Sequence, residues 1–261
     1  MGLINFFIML CIIVMLHEGG HLVVAKINKV HVNTFSVGFG WRIIGFKFWK
    51  RAGTRLHVAI RLFNFKPFNK HLWNCKYITE YRIAPFLLGG FCAMGGETKS
   101  TGQSTDLVSK KYSQKVAVAL AGVAVNFVTG FLAIYAVVAS KVGFLKGIVD
   151  TFKYLGLIFE ALWFAVYKLC IGQGQITTAS ETAKIMTGLS WEMYLIFFGV
   201  FSIALGVFNL LPFPALDGSL PFLWLAEKWH KNCQVIVHWL IRIGFIILMI
   251  LQLVILFFWA R

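Results

Sequence analysis

The sequence predicts an integral membrane protein, mostly α-helical. It has four transmembrane helices, a membrane-associated β-hairpin element in the first cytoplasmic loop, and an interfacial amphipathic helix. Three observations carry that reading. Hydrophobic residues make up 59% of the 261-residue chain and charged residues only 13%, with a mean hydropathy of +0.76. Soluble domains carry about a quarter charged residues. Four stretches are apolar for about 20 residues, the length that spans a bilayer. Basic residues collect in one loop, the mark of a cytoplasmic face.

The first span covers about residues 3–25. No basic residue precedes this apolar run and no small-x-small cleavage site follows it, so it reads as a retained helix rather than a leader. The loop after it is dense in charge, with 15 Lys/Arg against Glu80, Glu97 and Asp106 between residues 28 and 115. Within it, residues 33–98 read as β-rich. Residues 55–62 (RLHVAIRL) roughly alternate, and Gly38, Gly40 and Gly53 punctuate the stretch. Aromatic residues interleave with Lys and Arg there, a mix that suits the membrane interface.

The second span covers about 116–139, the third about 193–211, ending in a proline-rich break, and the fourth about 235–259. Residues 154–171 are long enough to be a fifth. Glu160 and Lys168 lie inside that stretch, however, with Asp150 and Lys153 just ahead. Phe152, Leu155, Phe159, Leu162, Val166 and Leu169 form a helical stripe, so residues 149–171 read as a helix in the interface. Between 140 and 192 five lysines face four acids. This contrast places the first loop in the cytoplasm and both termini outside, with the third span running inward.

The net charge of +15 is therefore mainly a topology signal, with membrane lipids as the partner of the basic loop. No nucleic-acid-binding module is visible, and no nucleic-acid partner is expected. The five cysteines are odd in number, widely spaced and free of CxxC, which supports neither a disulfide framework nor a cysteine metal site. The length suits a single domain over 1–261.

Inside the first span lies His17-Glu18-Gly19-Gly20-His21. Histidines four residues apart share a helix face, so both imidazoles reach one metal ion and the neighbouring acid reaches a water on that ion. Ionisable groups are costly in so apolar a stretch, and there they mark function. His31, His57, His71, His230 and His238 have no partner at metal spacing and read as interfacial.

A hydrolytic zinc site keeps three protein ligands and one open position. Asp217, in Asn209-Leu210-Leu211-Pro212-Phe213-Pro214-Ala215-Leu216-Asp217-Gly218, is the candidate for the third. Asp-Gly is also a common turn dipeptide, but depth favours the metal. His17 lies about 14 residues into its span, roughly 20 Å along a helix. Asp217 follows an inward-running helix whose prolines can fold the chain back to that depth. Had residues 154–171 spanned, Asp217 would emerge on the wrong side.

These residues resemble the site-2 protease family of intramembrane zinc metalloproteases, in its bacterial regulated-intramembrane-proteolysis branch. LHEGGHLVVAK (16–26) is similar to that family's first-helix motif. FSVGFG (35–40) and TEYRIAPFLLGGF (79–91) resemble its membrane-associated β element. AGVAVNF (121–127) resembles its second-helix motif, and NLLPFPALDG (209–218) its N-x-x-P-x-P-x-L-D-G motif. The order is right and most of the chain is covered. There are departures. Only residues 140–152 fill the place where the family often carries PDZ domains, so none is expected. Residues 47–77 read as an extra hairpin, Val123 replaces a proline and Ser219 a glycine. The family's G-P motif is not visible in residues 177–185.

The resemblance implies a zinc metalloendopeptidase of the bacterial plasma (inner) membrane. His17, His21 and Asp217 hold Zn²⁺, Glu18 is the general base and then acid, and Asn209 contacts substrate near the developing oxyanion. Substrates would be single-pass or otherwise membrane-anchored proteins, such as anti-sigma factors, or signal-peptide remnants. Two readings from other classes stay open at this stage. One is a metal or ion transporter, which paired inverted repeats would support. The other is a catalytically inactive membrane scaffold, against which the intact ligand set speaks.

Overall fold

The computed structural model describes residues 2–49, 57–63, 78–96, 102–171, 189–229, 237, 239–247 and 250. The chain divides into two compact units. One comprises Met1–Ile13, Val123–Asn209 and Ile247–Arg261, and the other Val14–Gly122 and Leu210–Ile246. Helices α1 (Gly2–Ile27) and α2 (Tyr112–Val142) contribute to both. Among the described residues three helices are long and apolar enough to cross a membrane: Ile4–Ile27 of α1, all of α2, and α4 (Trp191–Leu210). The chain is thus an integral membrane protein. The predicted fourth span at 235–259 lies largely outside the described residues, of which 239–247 are helical.

In the first unit, glycines set how closely helices meet. A Cβ on Gly130 of α2 would fall 2.9 Å from the Gly199 carbonyl oxygen of α4, and one on Gly199 would fall 2.9 Å from that of Gly130. Small residues let backbones approach and maximise dispersion contact where there is no water to expel. Hydrogen bonds reinforce the crossing. Ser202 Oγ donates to the Asn126 carbonyl (2.9 Å) and lies 3.1 Å from Thr129 Oγ1. Gly206 packs near Asn126 while Gly199 packs near Ile134, so α2 and α4 run antiparallel. Phe6, Met9 and Ile13 of α1 form a core with Phe197, Phe201 and their neighbours on α4.

Helix α3 (Phe144–Cys170) turns straight back along α2. Gly147 sits against Ala139, Phe152 against Phe131 (ring centroids 5.2 Å), and Phe159 against Phe127 (6.2 Å). Its buried line runs through Gly147 and Thr151, whose hydroxyl donates to the Gly147 carbonyl. Lys141 near the end of α2 pairs with Glu192 in the first turn of α4 at 2.6 Å. The end of α2 and the start of α4 therefore lie together.

Among the described residues the second unit holds a five-stranded sheet of order β3-β2-β4-β1-β5. Its strands are β1 (Val32–Phe39), β2 (Ile44–Trp49), β3 (His57–Leu62), β4 (Glu80–Ile83) and β5 (Phe86–Met94). Strands β2 and β3 pair antiparallel, over part of the predicted extra hairpin; residues 50–56 and 64–77 lie outside the description. The sheet is not a run of hairpins alone, since β1 pairs parallel with β4 and antiparallel with β5. Alternation in a sequence marks strands but does not name their partners. Gly38 (φ +89°) accommodates the irregularity in β1, where a Cβ would meet the Ala84 carbonyl oxygen at 2.6 Å. Arg82 of β4 donates to Ser36 Oγ and stacks over Phe91. Burial pushes its pKa down, with Glu80 opposing and Arg42 adding to the shift.

A candidate metal centre on two helices and a strained turn

His17 and His21 sit one turn apart on the buried face of α1, 5% and 6% exposed. Their Nε2 atoms are 3.2 Å apart. Asp217 reaches the same point from a 3₁₀ turn, Asp217–Ser219. Its Oδ2 lies 2.9 Å from His17 Nε2 and 3.2 Å from His21 Nε2. Among the described residues this trio is the group of metal-type side chains that converges, with ligand atoms within 4.8 Å of one another. Two imidazole nitrogens and one carboxylate oxygen are the donors a hydrolytic zinc uses.

Two further features fit a metal. His21 Nδ1 lies 2.8 Å from the carbonyl oxygen of Val118 on α2. That oxygen can only accept, so Nδ1 carries the proton and the Nε2 lone pair is left toward Asp217 and His17. Gly122, one turn along α2, leaves room for both rings. A Cβ there would fall 2.4 Å from His21 Nε2 and 2.7 Å from His17 Nε2. The helix backbone itself walls the cradle.

The turn bearing Asp217 is held by short-range bonds. Leu216 N–H donates to the Phe213 carbonyl, and both the N–H and the hydroxyl of Ser219 donate to the Leu216 carbonyl. Ala215 takes φ +84°, a left-handed conformation disfavoured for an L-residue. Gly218 permits the closest approach, since a Cβ there would lie 2.1 Å from the Leu210 carbonyl oxygen. Gly244 likewise lets its helix reach the Pro214 carbonyl oxygen. The sharp bend brings the Asp217 carboxylate to the two histidines.

Glu18 is half-buried beside His17 and runs past β5. A Cβ on Gly90 would come within 3.1 Å of its Cγ and 2.7 Å of the Ser36 carbonyl oxygen. Asn209 lies half-buried in the last turn of α4. His31 and His57 lie away from the trio, while His71, His230 and His238 fall outside the described residues. Sequence reasoning missed Gly122, Gly90 and the Val118 carbonyl. The glycines were in view within AGVAVNF and LLGGF, but nothing in a linear motif says which neighbour a glycine makes room for.

The fold and the trio define a class: an integral membrane protein with a two-histidine, one-aspartate metal-type site carried on an apolar helix. The comparisons narrow it further. The chain belongs to peptidase family M50, whose family model matches residues 5–64 and 52–251. It is 29% identical over 141 residues to the zinc metalloprotease Rip1 of Mycolicibacterium smegmatis, covering 52% of this chain and 29% of that protein. It is 30% identical over 122 residues to a protein of Clostridium perfringens provisionally named a zinc metalloprotease, covering 46% and 28%. A similarly named protein of Rickettsia conorii is 22% identical over 310 residues, covering 84% of this chain and 86% of that protein. The chain thus matches less than a third of the length of the first two relatives.

Proposed function

We propose that this chain is an intramembrane zinc endopeptidase that hydrolyses peptide bonds within or beside transmembrane segments of membrane-anchored proteins. The observation that carries the reading is the convergence of His17, His21 and Asp217 over Gly122. Membership of peptidase family M50 and the names of its relatives supply the peptidase assignment. His17, His21 and Asp217 would hold a zinc ion, which when bound would supply polarisation of a carbonyl and acidification of a water. Glu18 takes the proton of the attacking water and returns it to the leaving amine. Asn209 donates to the carbonyl oxygen as charge develops there.

A helical substrate segment must unwind first, because its backbone groups are otherwise satisfied within the helix. Strand β5 stands at one end of the sheet order and carries Gly90 beside Glu18. An unwound segment that adds to β5 is thereby held next to the base. The basic first loop faces the cytoplasm of a bacterial plasma membrane, α2 runs outward and α4 inward. Residues 235–259 complete a fourth span, and α3 lies at the outer side. The substrates are membrane-anchored regulators or signal-peptide remnants.

Co-expression with a tagged single-pass membrane protein tests the proposal. Wild type should release a fragment cut within the span, and Glu18→Gln should not. Release that survives the substitution would overturn the assignment of Glu18.

A further inference from the structure

The first unit has a cavity whose lining includes none of the metal-centre residues. It encloses about 400 Å³ between the C-terminal part of α2, α3 and α4, within the size range of small-molecule sites. Its origin is in the sequence. Gly130 and Gly199 pin α2 to α4, and Gly147 pins α3 to Ala139 of α2. Between these points the lining is almost wholly apolar, from Val137 and Val138 of α2 across Leu157 and Ala161 of α3 to Ile196 and Val200 of α4, and these side chains leave a slot between the helices. A partly open slot of this size, beside the exposed Leu157 and Val142, leaves its apolar lining short of dispersion contact. In a bilayer the molecule at hand to restore it is an acyl chain.

The rim gives the cavity its selectivity. Lys141 lines it, and the Lys141 ammonium is held 2.6 Å from the Glu192 carboxylate on the facing helix. Both side chains keep partial exposure, 58% and 31%. One fixed cation and one fixed anion, above an apolar slot, form the mirror image of a zwitterionic headgroup above its tail. We infer that this cavity binds one acyl chain of a phospholipid with an ethanolamine headgroup, its phosphate on Lys141 and its primary ammonium on Glu192. Exchange of partners leaves the charge balance unchanged and keeps every charged group paired. An anionic headgroup without an amine satisfies Lys141 but sets its negative charge against Glu192.

Native mass spectrometry of the full chain in detergent, titrated with dioleoyl phosphatidylethanolamine or dioleoyl phosphatidylglycerol, tests this without reference to peptidase activity. The expected result is a preference of about fivefold for the ethanolamine lipid, as one favourable charge contact near a membrane surface provides. Glu192→Gln should erase that preference while leaving glycerol-lipid binding in place. Ala161→Trp, which fills the slot, should remove the first adduct of both lipids. Equal affinity for the two lipids in wild type would overturn the inference, as would a preference that survives Glu192→Gln. Adducts of Ala161→Trp indistinguishable from wild type would also overturn it. Should Ala161→Trp fail to fold, the comparison of wild type with Glu192→Gln decides alone.

Discussion

Gly122→Ala is the substitution whose effect follows most directly from the geometry. In an ordinary helix interior this change favours the helix by about 0.8–1.0 kcal/mol. Here the new methyl would stand 2.4 Å from His21 Nε2 and 2.7 Å from both Cε1 and Nε2 of His17. Comfortable carbon contacts are about 3.5–4.0 Å, so the rings or the helix must give way by roughly 1 Å. Overpacking of that kind costs about 1–3 kcal/mol, which offsets or exceeds the helix gain. Metal–ligand distances tolerate only about 0.2 Å. Loss of zinc affinity should therefore far exceed any loss of stability, reaching at least the 10–100-fold typical of disturbed outer-shell partners. The assay is zinc retention by purified protein against a graded series of chelator, with circular dichroism to confirm helix content. Gly156→Ala on α3, where a Cβ meets nothing within 4 Å, is the control and should leave both unchanged. A Gly122→Ala protein that holds zinc as tightly as wild type would refute the placement of the metal against α2.

Three further substitutions have outcomes set by the same packing. Gly90→Ala should retain zinc but lower turnover, by less than the about 100-fold that a misplacement of roughly 1 Å costs, because its methyl would fall 2.7 Å from the Ser36 carbonyl oxygen and 3.1 Å from Glu18 Cγ; unchanged turnover would separate β5 from Glu18. Gly199→Ala should lower the thermal midpoint through a loss of about 1–3 kcal/mol, since its Cβ would meet Ile134 at 2.5 Å and the Gly130 carbonyl oxygen at 2.9 Å; a stability equal to wild type would mean α2 and α4 do not cross there. Ala215→Gly should raise the midpoint by relieving the φ +84° conformation, worth about 1 kcal/mol after glycine's own entropy cost; a fall would show the methyl to be needed for packing.

The convergence of His17, His21 and Asp217 was legible in the sequence because metal chemistry and burial cost point the same way. Histidines at i and i+4 have one physical arrangement on a helix, and an aspartate after a proline-rich break in an apolar chain has few reasons to be there. Apolar runs were equally legible, though their ends were not. The predicted second span, 116–139, stopped between Lys115 and Lys141, whereas α2 continues from Tyr112 to Val142. Lysines at helix ends carry their charge outward without interrupting the backbone.

Partnership was the harder thing to read. The stripe through Phe152, Leu155 and Phe159 announced an amphipathic α3, but its buried line passes through Gly147 and Thr151. Small residues let it pack on Ala139 of α2, and hydrophobicity patterns give them little weight. The parallel pairing of β1 with β4 was invisible for a similar reason, since register comes from long-range packing rather than from alternation. Gly122 and Gly90 were the residues of the site most easily passed over, because their contribution is the space they leave.

One chain should both hold zinc through His17, His21 and Asp217 and cut membrane-anchored protein through Glu18. The most direct test measures zinc content and cleavage together, for wild type, Glu18→Gln and Asp217→Ala, reconstituted with a single-pass substrate in liposomes. The account predicts zinc and cleavage in wild type, zinc without cleavage in Glu18→Gln, and neither in Asp217→Ala. Cleavage by Glu18→Gln, or full zinc retention by Asp217→Ala, would contradict it.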